Sequence, residues 1–441
     1  GFRFGSSFCL ETCSRRECRT ADGRILIGGI ALAQSGGDSP FADWFFAQAE
    51  VLIRGGSVRW FDEQHAAPAP LELRQVDVLL RNHGWQHNLR VDATPPPTWG
   101  TRFTLMARMR APLLHPRDGQ WQHWSGQLFA DFAHVDLAQL RAQVLSDASI
   151  KVAKGAGSMR VWADIDRAKL VGGVADLALT DVHTTLAPEL QPLDFTALGG
   201  RIGGQRLAGG YTLFTEGLRF RTGDGLGWPG GNLRLQRTAA TDRMPEYTQL
   251  QAERLDLAAL AQIGMRLPLD AGARAALQSY QPQGLVESLQ ASWRGPPAAP
   301  TQYQLRGKVQ GLAFAAGGDQ GSAAPGAQAG VPGVRGAAVE LDLNQDGGKA
   351  ALAIRDGALV LPGVFEEPQV PLDYLDAEVQ WQVQPVPAKG QKPAAAQAPR
   401  IAVQARKLRF ANADLQGEAQ ASWHTREAAP GLAAQAGEGR F

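Results

Sequence analysis

Apolar and polar residues alternate with period two in nearly every segment that reads as regular structure, and a chain written this way is confined to β-sheet with one greasy face. Ala377, Val379, Trp381 and Val383 fall on one side and Glu378, Gln380 and Gln382 on the other. Leu89, Val91 and Ala93 oppose Asn88, Arg90 and Asp92, and Met159, Val161, Ala163 and Ile165 oppose Ser158, Arg160, Asp164 and Asp166, with Trp162 the exception. Leu285, Leu289, Ala291 and Trp293 oppose Ser288, Gln290 and Ser292, while Tyr303, Leu305 and Val309 oppose Gln304, Arg306 and Lys308. The functional question becomes what the apolar face covers.

At 441 residues the chain exceeds one ordinary domain, so it holds two or three domains or one elongated repetitive body. Lys plus Arg (44) nearly cancels Asp plus Glu (43), which leaves no electrostatic footprint for nucleic acid or another polyanion. Abundant Gly (51) and Pro (27) suit many strands joined by tight turns. Cys9, Cys13 and Cys18 lack the paired spacing of a zinc site, and an odd count leaves one thiol unbridged, so no metal is expected. The stretch before Thr20 lacks alternation and reads as an unassigned, non-native type of end. The longest uncharged apolar run, near Ile25 to Ala33, is far short of the roughly 20 residues that span a bilayer.

Strand-like runs fall at about 24–33, 50–62, 71–81, 85–93, 101–110 and 121–134, a long meander. A short helix is predicted from Asp136 to about Val144, capped by its aspartate, with strands resuming at 157–166 and running to about 253. The segment Phe132 to Leu140 (FAHVDLAQL) echoes Ala252 to Leu260 (AERLDLAAL), each closing a strand and opening a helix, which suggests stacked modules. Module boundaries are expected at 21–145, 146–265 and 266–441, after an unassigned 1–20. Two helical turns are predicted between Leu257 and Tyr280, then strands at about 285–294, 301–314, 334–344, 348–361, 370–383, 400–410 and 413–424. Segments 315–333 and 384–399 read as loops rich in Ala, Gly, Pro and Gln.

No motif carries catalysis. Gly225-Leu-Gly227-Trp-Pro-Gly230 fits a dinucleotide fingerprint in letters, but Pro229 and Gly231 lead into the alternating strand 232–236 where that loop must open a helix, so a turn between strands is predicted. His83 and His87 flank a turn, and they are read with His65, His115, His123 and His134 as solvated strand or loop residues. The acid pairs Asp62 with Glu63, Asp164 with Asp166, and Glu366 with Glu367 read as polar-face or turn residues, since glycoside hydrolysis needs two acids facing across a cleft. Eleven tryptophans, several at strand ends, suit either core anchors or rings placed where an apolar floor meets water.

Phe41 to Glu63 (FADWFFAQAEVLIRGGSVRWFDE), Pro70 to Asn82 (PLELRQVDVLLRN) and Asp92 to Pro97 (DATPPP) resemble the central region of the YhdP family, large AsmA-like proteins of Gram-negative bacteria related in architecture to TamB. The likeness extends more weakly over residues 21–441, without the family's amino-terminal membrane helix or its carboxy-terminal end, so a middle fragment is expected. The resemblance implies an inner-membrane-anchored periplasmic protein whose curled sheet conducts lipid toward the outer membrane, with no catalytic residues to carry over.

The expected fold is therefore mostly β, an elongated, curled antiparallel sheet forming a groove, with a few short helices. About twenty strands near 4.8 Å apart would extend on the order of 100 Å. Candidate groove residues are Leu89, Val91, Phe103, Leu105, Val161, Leu285, Leu289, Trp293, Leu305, Val339, Leu341, Leu352, Ile354, Val379 and Trp381. The expected cargo is phospholipid, carried passively by its acyl chains, with no enzyme activity and no cofactor. The alternatives are a periplasmic scaffold or adhesion module of closed β-sandwiches, and a carbohydrate-active β-protein with tryptophan platforms.

Overall fold

A computed structural model of the chain describes residues 2–4, 18–19, 25–27, 30–33, 40–62, 71–112, 120–144, 151–187, 189–267, 269, 271–297, 299–316, 332–362, 367–384, 400–425 and 437–440. The fold is mostly β, an antiparallel sheet that does not close into a barrel, with four short α-helices among the described residues. Two compact units are present, Gly1–Arg206 with Leu213–Gly227, and Leu207–Thr212 with Trp228–Phe441.

The first unit opens with short strands β1 (Phe2–Phe4), β2 (Cys18–Arg19), β3 (Ile25–Ile27) and β4 (Ile30–Ala33), then α1 (Pro40–Ala47). A meander follows: β5 (Glu50–Asp62), β6 (Leu71–His83), β7 (Gln86–Thr94), β8 (Phe103–Arg110), β9 (Ser125–Asp136), α2 (Leu137–Val144), β10 (Lys151–Asp166), β11 (Lys169–Thr185) and β12 (Leu193–Leu207). From β5 to β12 each strand pairs antiparallel with the next, while β1 and β2 lie parallel to β5. Hairpins need little chain: Arg167 and Ala168, at φ of 50° and 56°, turn β10 into β11 in two residues whose left-handed backbone matches the strand twist.

Strands β13 (Gly210–Thr222) and β14 (Gly227–Trp228) divide between the units. The second unit continues with β15 (Asn232–Thr238), β16 (Tyr247–Asp256), α3 (Leu257–Ile263), α4 (Ala271–Tyr280), β17 (Gln283–Arg294), β18 (Gln302–Phe314), β19 (Gly333–Asn344), β20 (Gly347–Val360), β21 (Gln369–Gln384), β22 (Arg400–Ala411), β23 (Gln416–Thr425) and β24 (Gly437–Arg440). These strands from β15 onward also pair antiparallel in sequence order. The echoed segments are equivalent in local structure. The Asp136 carboxylate accepts from the Gln139 amide at 2.9 Å and that of Asp256 from the Ala259 amide at 3.0 Å, so each aspartate ends a strand and caps a helix.

Two sequence expectations need correction. Helix α1 was not foreseen, although Ser39-Pro40 is a helix-start signal, with proline at the first turn where no amide is needed. His87 is 2 % exposed rather than solvated; its ring stacks on Trp124 with centroids 3.8 Å apart, and Phe46 of α1 packs edge-on to both. The Asn82 side-chain oxygen lies 2.8 Å from its Nδ1. Residues Cys9, Cys13, His65, His115, Glu63 and Glu366, and most of both long loops, lie outside the described residues. The 225–230 segment opens no helix; it is a bend that includes the two-residue β14 and leads through Pro229 and Gly230 to β15.

The cores lie at particular ends of the strands. In the first unit, Leu80, His87 and Trp124 are buried beside α1, and Val135, Leu179, Val182 and Leu193 are buried toward α2. Gly155 sits where an added Cβ would meet Leu137 of α2 at 3.1 Å and Val182 at 3.2 Å, so the missing side chain lets the helix approach the sheet. In the second unit Val334, Ala337, Ile354, Leu372, Leu375 and Ala377 form one cluster, with Leu312, Phe314, Leu408 and Phe410 packed against it. Burying each large side chain there contributes about 1.5–3 kcal/mol.

Candidate functional site

Directly paired residues in an antiparallel ladder share a face, so the strand registers convert the period-two pattern into rows running across the strands. In the first unit Ile53, Val78, Val91, Leu105, Ala130, Val161, Ala175 and Ile202 are successive partners from β5 to β12. Beside it run Val51, Leu80, Leu89, Ala107, Leu128 and Ala163, and on the other side Phe103, Phe132, Met159 and Leu177. The eight strands at about 4.8 Å spacing make each full row about 34 Å long. The middle of this face is not covered: Ile53 is 36 %, Leu105 37 %, Leu128 39 % and Ile202 39 % exposed.

The second unit repeats the arrangement. Leu235, Leu250, Ala291, Leu305, Leu343, Gly348, Trp381, Val403 and Trp423 form one row from β15 to β23. Leu233, Ala252, Leu289, Gly307, Leu341, Ala350, Val379, Ala405 and Ala421 form the next. Trp293 and Tyr303 are partners at the outer margin of the same face.

The reverse face is polar and electrically self-compensated. Asp92, Thr104, Asp131, Arg160, Asp176 and Arg201 are successive partners from β7 to β12, with Arg201 2.6 Å from Asp176 and Arg160 3.4 Å from Asp131. The Arg201 hydrogen bond holds the Asp176 carboxyl below the usual carboxylate range, and Arg90 does the same for Asp92 against an opposing push from desolvation. One apolar row, Met106, Phe129, Trp162 and Val174, interrupts this face and accounts for the break in alternation at Trp162; Arg90 separates it from Leu79. In the second unit a depression of about 650 Å³ over the polar face is lined by Arg306, Lys308, Lys349, Glu340, Asp342 and Glu378 among others, a mixture of signs that favours no single ionic ligand. No group of three or more His, Cys, Asp or Glu able to hold a metal occurs among the described residues.

The sequence candidates divide accordingly. Leu89, Val91, Phe103, Leu105 and Val161 lie together in the first unit's rows, and Leu289, Trp293, Leu305, Leu341, Val379 and Trp381 lie together in the second. Val339 and Leu352 are partners at the edge of the buried cluster, and Ile354, at 0 % exposure, lies inside it. Leu285 leaves the face. A bulge between Val286 and Ser288 shifts the register, so Val286 pairs with Val309 on the apolar side and Leu285 pairs with Gln310 on the other. Strict alternation, continued past the bulge, points to the wrong residue. Leu343, Val403 and Trp423 join the rows without having been singled out, although their own strands alternate just as clearly.

An open, two-faced meander with long apolar rows is the setting for the comparison with known families. Residues 14–439 match the family described as YhdP protein. The chain belongs to the YhdP family. The match begins inside the first twenty residues that the sequence reading left unassigned. YhdP proteins are AsmA-like, a lipid-transport family of periplasmic, membrane-associated proteins not known for enzymatic activity. No described helix of this member is long and apolar enough to cross a membrane. Neither curated proteins nor solved structures yield a match to the chain.

Proposed function

We propose that the apolar rows carry phospholipid passively between the inner and outer membranes, with acyl chains on the greasy face and headgroups in solvent, as one segment of a periplasmic bridge anchored in the inner membrane. The observation that carries this reading is the pair of rows in each unit whose side chains, Leu80 and Ala252 apart, are partly exposed. A compact sandwich would seal them. At about 0.8 kcal/mol per methylene, both tails of a phospholipid in water would cost roughly 20 kcal/mol, so a carrier must offer apolar contact at every step of the path. Rows that keep an apolar partner on every strand meet that demand, because a tail leaving Leu105 meets Ala130 and then Val161. No headgroup lock is required, in keeping with a polar face whose charges compensate one another.

The test is photo-crosslinking in cells from single positions on the two faces. Val161 and Val379 should capture phospholipid, while Arg160 and Gln380, one residue away on the reverse face, should not. Equal yields from both faces, or none from either, would return the chain to the scaffold reading.

A further inference from the structure

In the second unit the ladder from β16 to β22 is broken repeatedly, by left-handed residues or by register shifts, with two shifts in each of the β17–β18 and β18–β19 pairings. Arg254 on β16, Gly311 on β18, Gly336 on β19, Asp356 on β20 and Lys407 on β22 have φ of 57°, 61°, 73°, 51° and 52°. The registers of β17 with β18 and of β21 with β22 shift between Val286 and Ser288 and between Asp376 and Glu378. A bulge bends its strand and raises the local twist, so bulges aligned on neighbouring strands fold the sheet along a crease. Burial changes along the strands near these breaks. Toward the strand ends that hold the bulges, Val334, Ala337, Ile354, Leu372 and Leu375 are 0–6 % exposed, with Ala337 and Ile354 just on the row side of Gly336 and Asp356. Toward the other ends, Leu305, Leu341, Val379 and Trp381 are half-buried and Trp423 is 37 % exposed. The first unit has the same kind of residue on β5, β6 and β11, at Gly55, Gln75 and Asp181, with φ of 61°, 50° and 51°.

We propose that the buried cluster alongside the bulges in the second unit is the inner wall of the lipid path. Acyl chains ride on the two rows that include Leu305, Trp381, Leu341 and Val379, and the flank around Ile354, Leu372 and Leu375 is a sealed spine that holds the bend and takes no lipid. The inference rests on the reading that this face carries lipid. Its physical basis is that a cluster closed by the sheet's own side chains has no free apolar surface left for a tail to cover, whereas the half-exposed rows do. The alternating pattern is identical on both flanks, so only burial separates them.

The experiment uses the whole chain with near-isosteric fluorinated residues, so that the fold is kept. Fluorotryptophan is placed at Trp381 or Trp423 and fluorophenylalanine at Phe314 or Phe410, and fluorine NMR is recorded with a phospholipid bearing a nitroxide on its acyl chain. Loss of signal at Trp381 and Trp423 with Phe314 and Phe410 unchanged is the expected result. Loss at all four positions overturns the wall and leaves lipid carriage standing. Unchanged signals at all four remove lipid carriage and the wall together.

Discussion

Asp356 and Lys407 hold left-handed backbone conformations at φ of 51° and 52° inside long strands, a state that costs an L-residue about 1–2 kcal/mol. Gly311, at 61°, occupies an equivalent place on β18, and a Cβ added there would have nothing within 4 Å. Gly311→Ala should therefore destabilise by about 1 kcal/mol through conformation alone, read as a lowered urea midpoint. Asp356→Gly should stay within about 0.5 kcal/mol of the parent, because relief of the strain is offset by the greater freedom of glycine in the unfolded chain. If Gly311→Ala is silent, the bulge is not held as described. Charge on the polar face gives a second residue-scale expectation. The Asp176 carboxyl titrates below its unfolded value, so the pair with Arg201 stabilises above the ordinary carboxylate pKa of about 3.9 and is lost as pH falls through the folded value. Asp176→Asn should lower stability modestly at neutral pH, and the difference should shrink below about pH 4. A difference that grows on acidification would contradict the pairing.

At the scale of elements, strands were legible and bulges were not. Strand β5 and helix α2 fall where the sequence places them because alternation and an aspartate cap are local signals that neighbouring elements do not override. A bulge adds one residue whose identity carries little signal; Gln75, Arg254 and Lys407 look like any polar-face residue. The same gap explains Ile354, since one row of half-exposed valines and another of sealed isoleucine and leucine read alike in one dimension. His87 was misread for a related reason. Its burial depends on Trp124, 37 positions away, and on Phe46 of a helix whose only sequence mark is Ser39-Pro40. Strand β17 offers the sharpest check on the bulge. Val286 is 6 % exposed and Leu285 39 %. Val286→Asp should cost about 3 kcal/mol or more by burying an unpaired carboxylate, and Leu285→Asp should cost about 0.5 kcal/mol or less. Thermal unfolding of the two variants decides it, and the order predicted by simple alternation, with Leu285 the costly one, would mean the register shift is absent.

For the whole molecule, the telling property is that each unit carries its own uninterrupted rows. If the proposed conduit runs through both units it works in series, so a block in either stops all transfer. A binding protein with two independent apolar surfaces works in parallel and loses capacity piecemeal. Val161 in the first unit and Val379 in the second sit mid-row and half-buried, so aspartate at either breaks the apolar contact with a charge that no tail can cross cheaply, while leaving the buried clusters intact. Val161→Asp and Val379→Asp should each abolish transfer of fluorescent phospholipid between vesicle populations, and the double variant should be no worse than either single one. Circular dichroism and the urea midpoint should move far less than transfer does. Independent losses that add, with each single variant keeping about half the lipid bound, would show two separate binding surfaces and no through path.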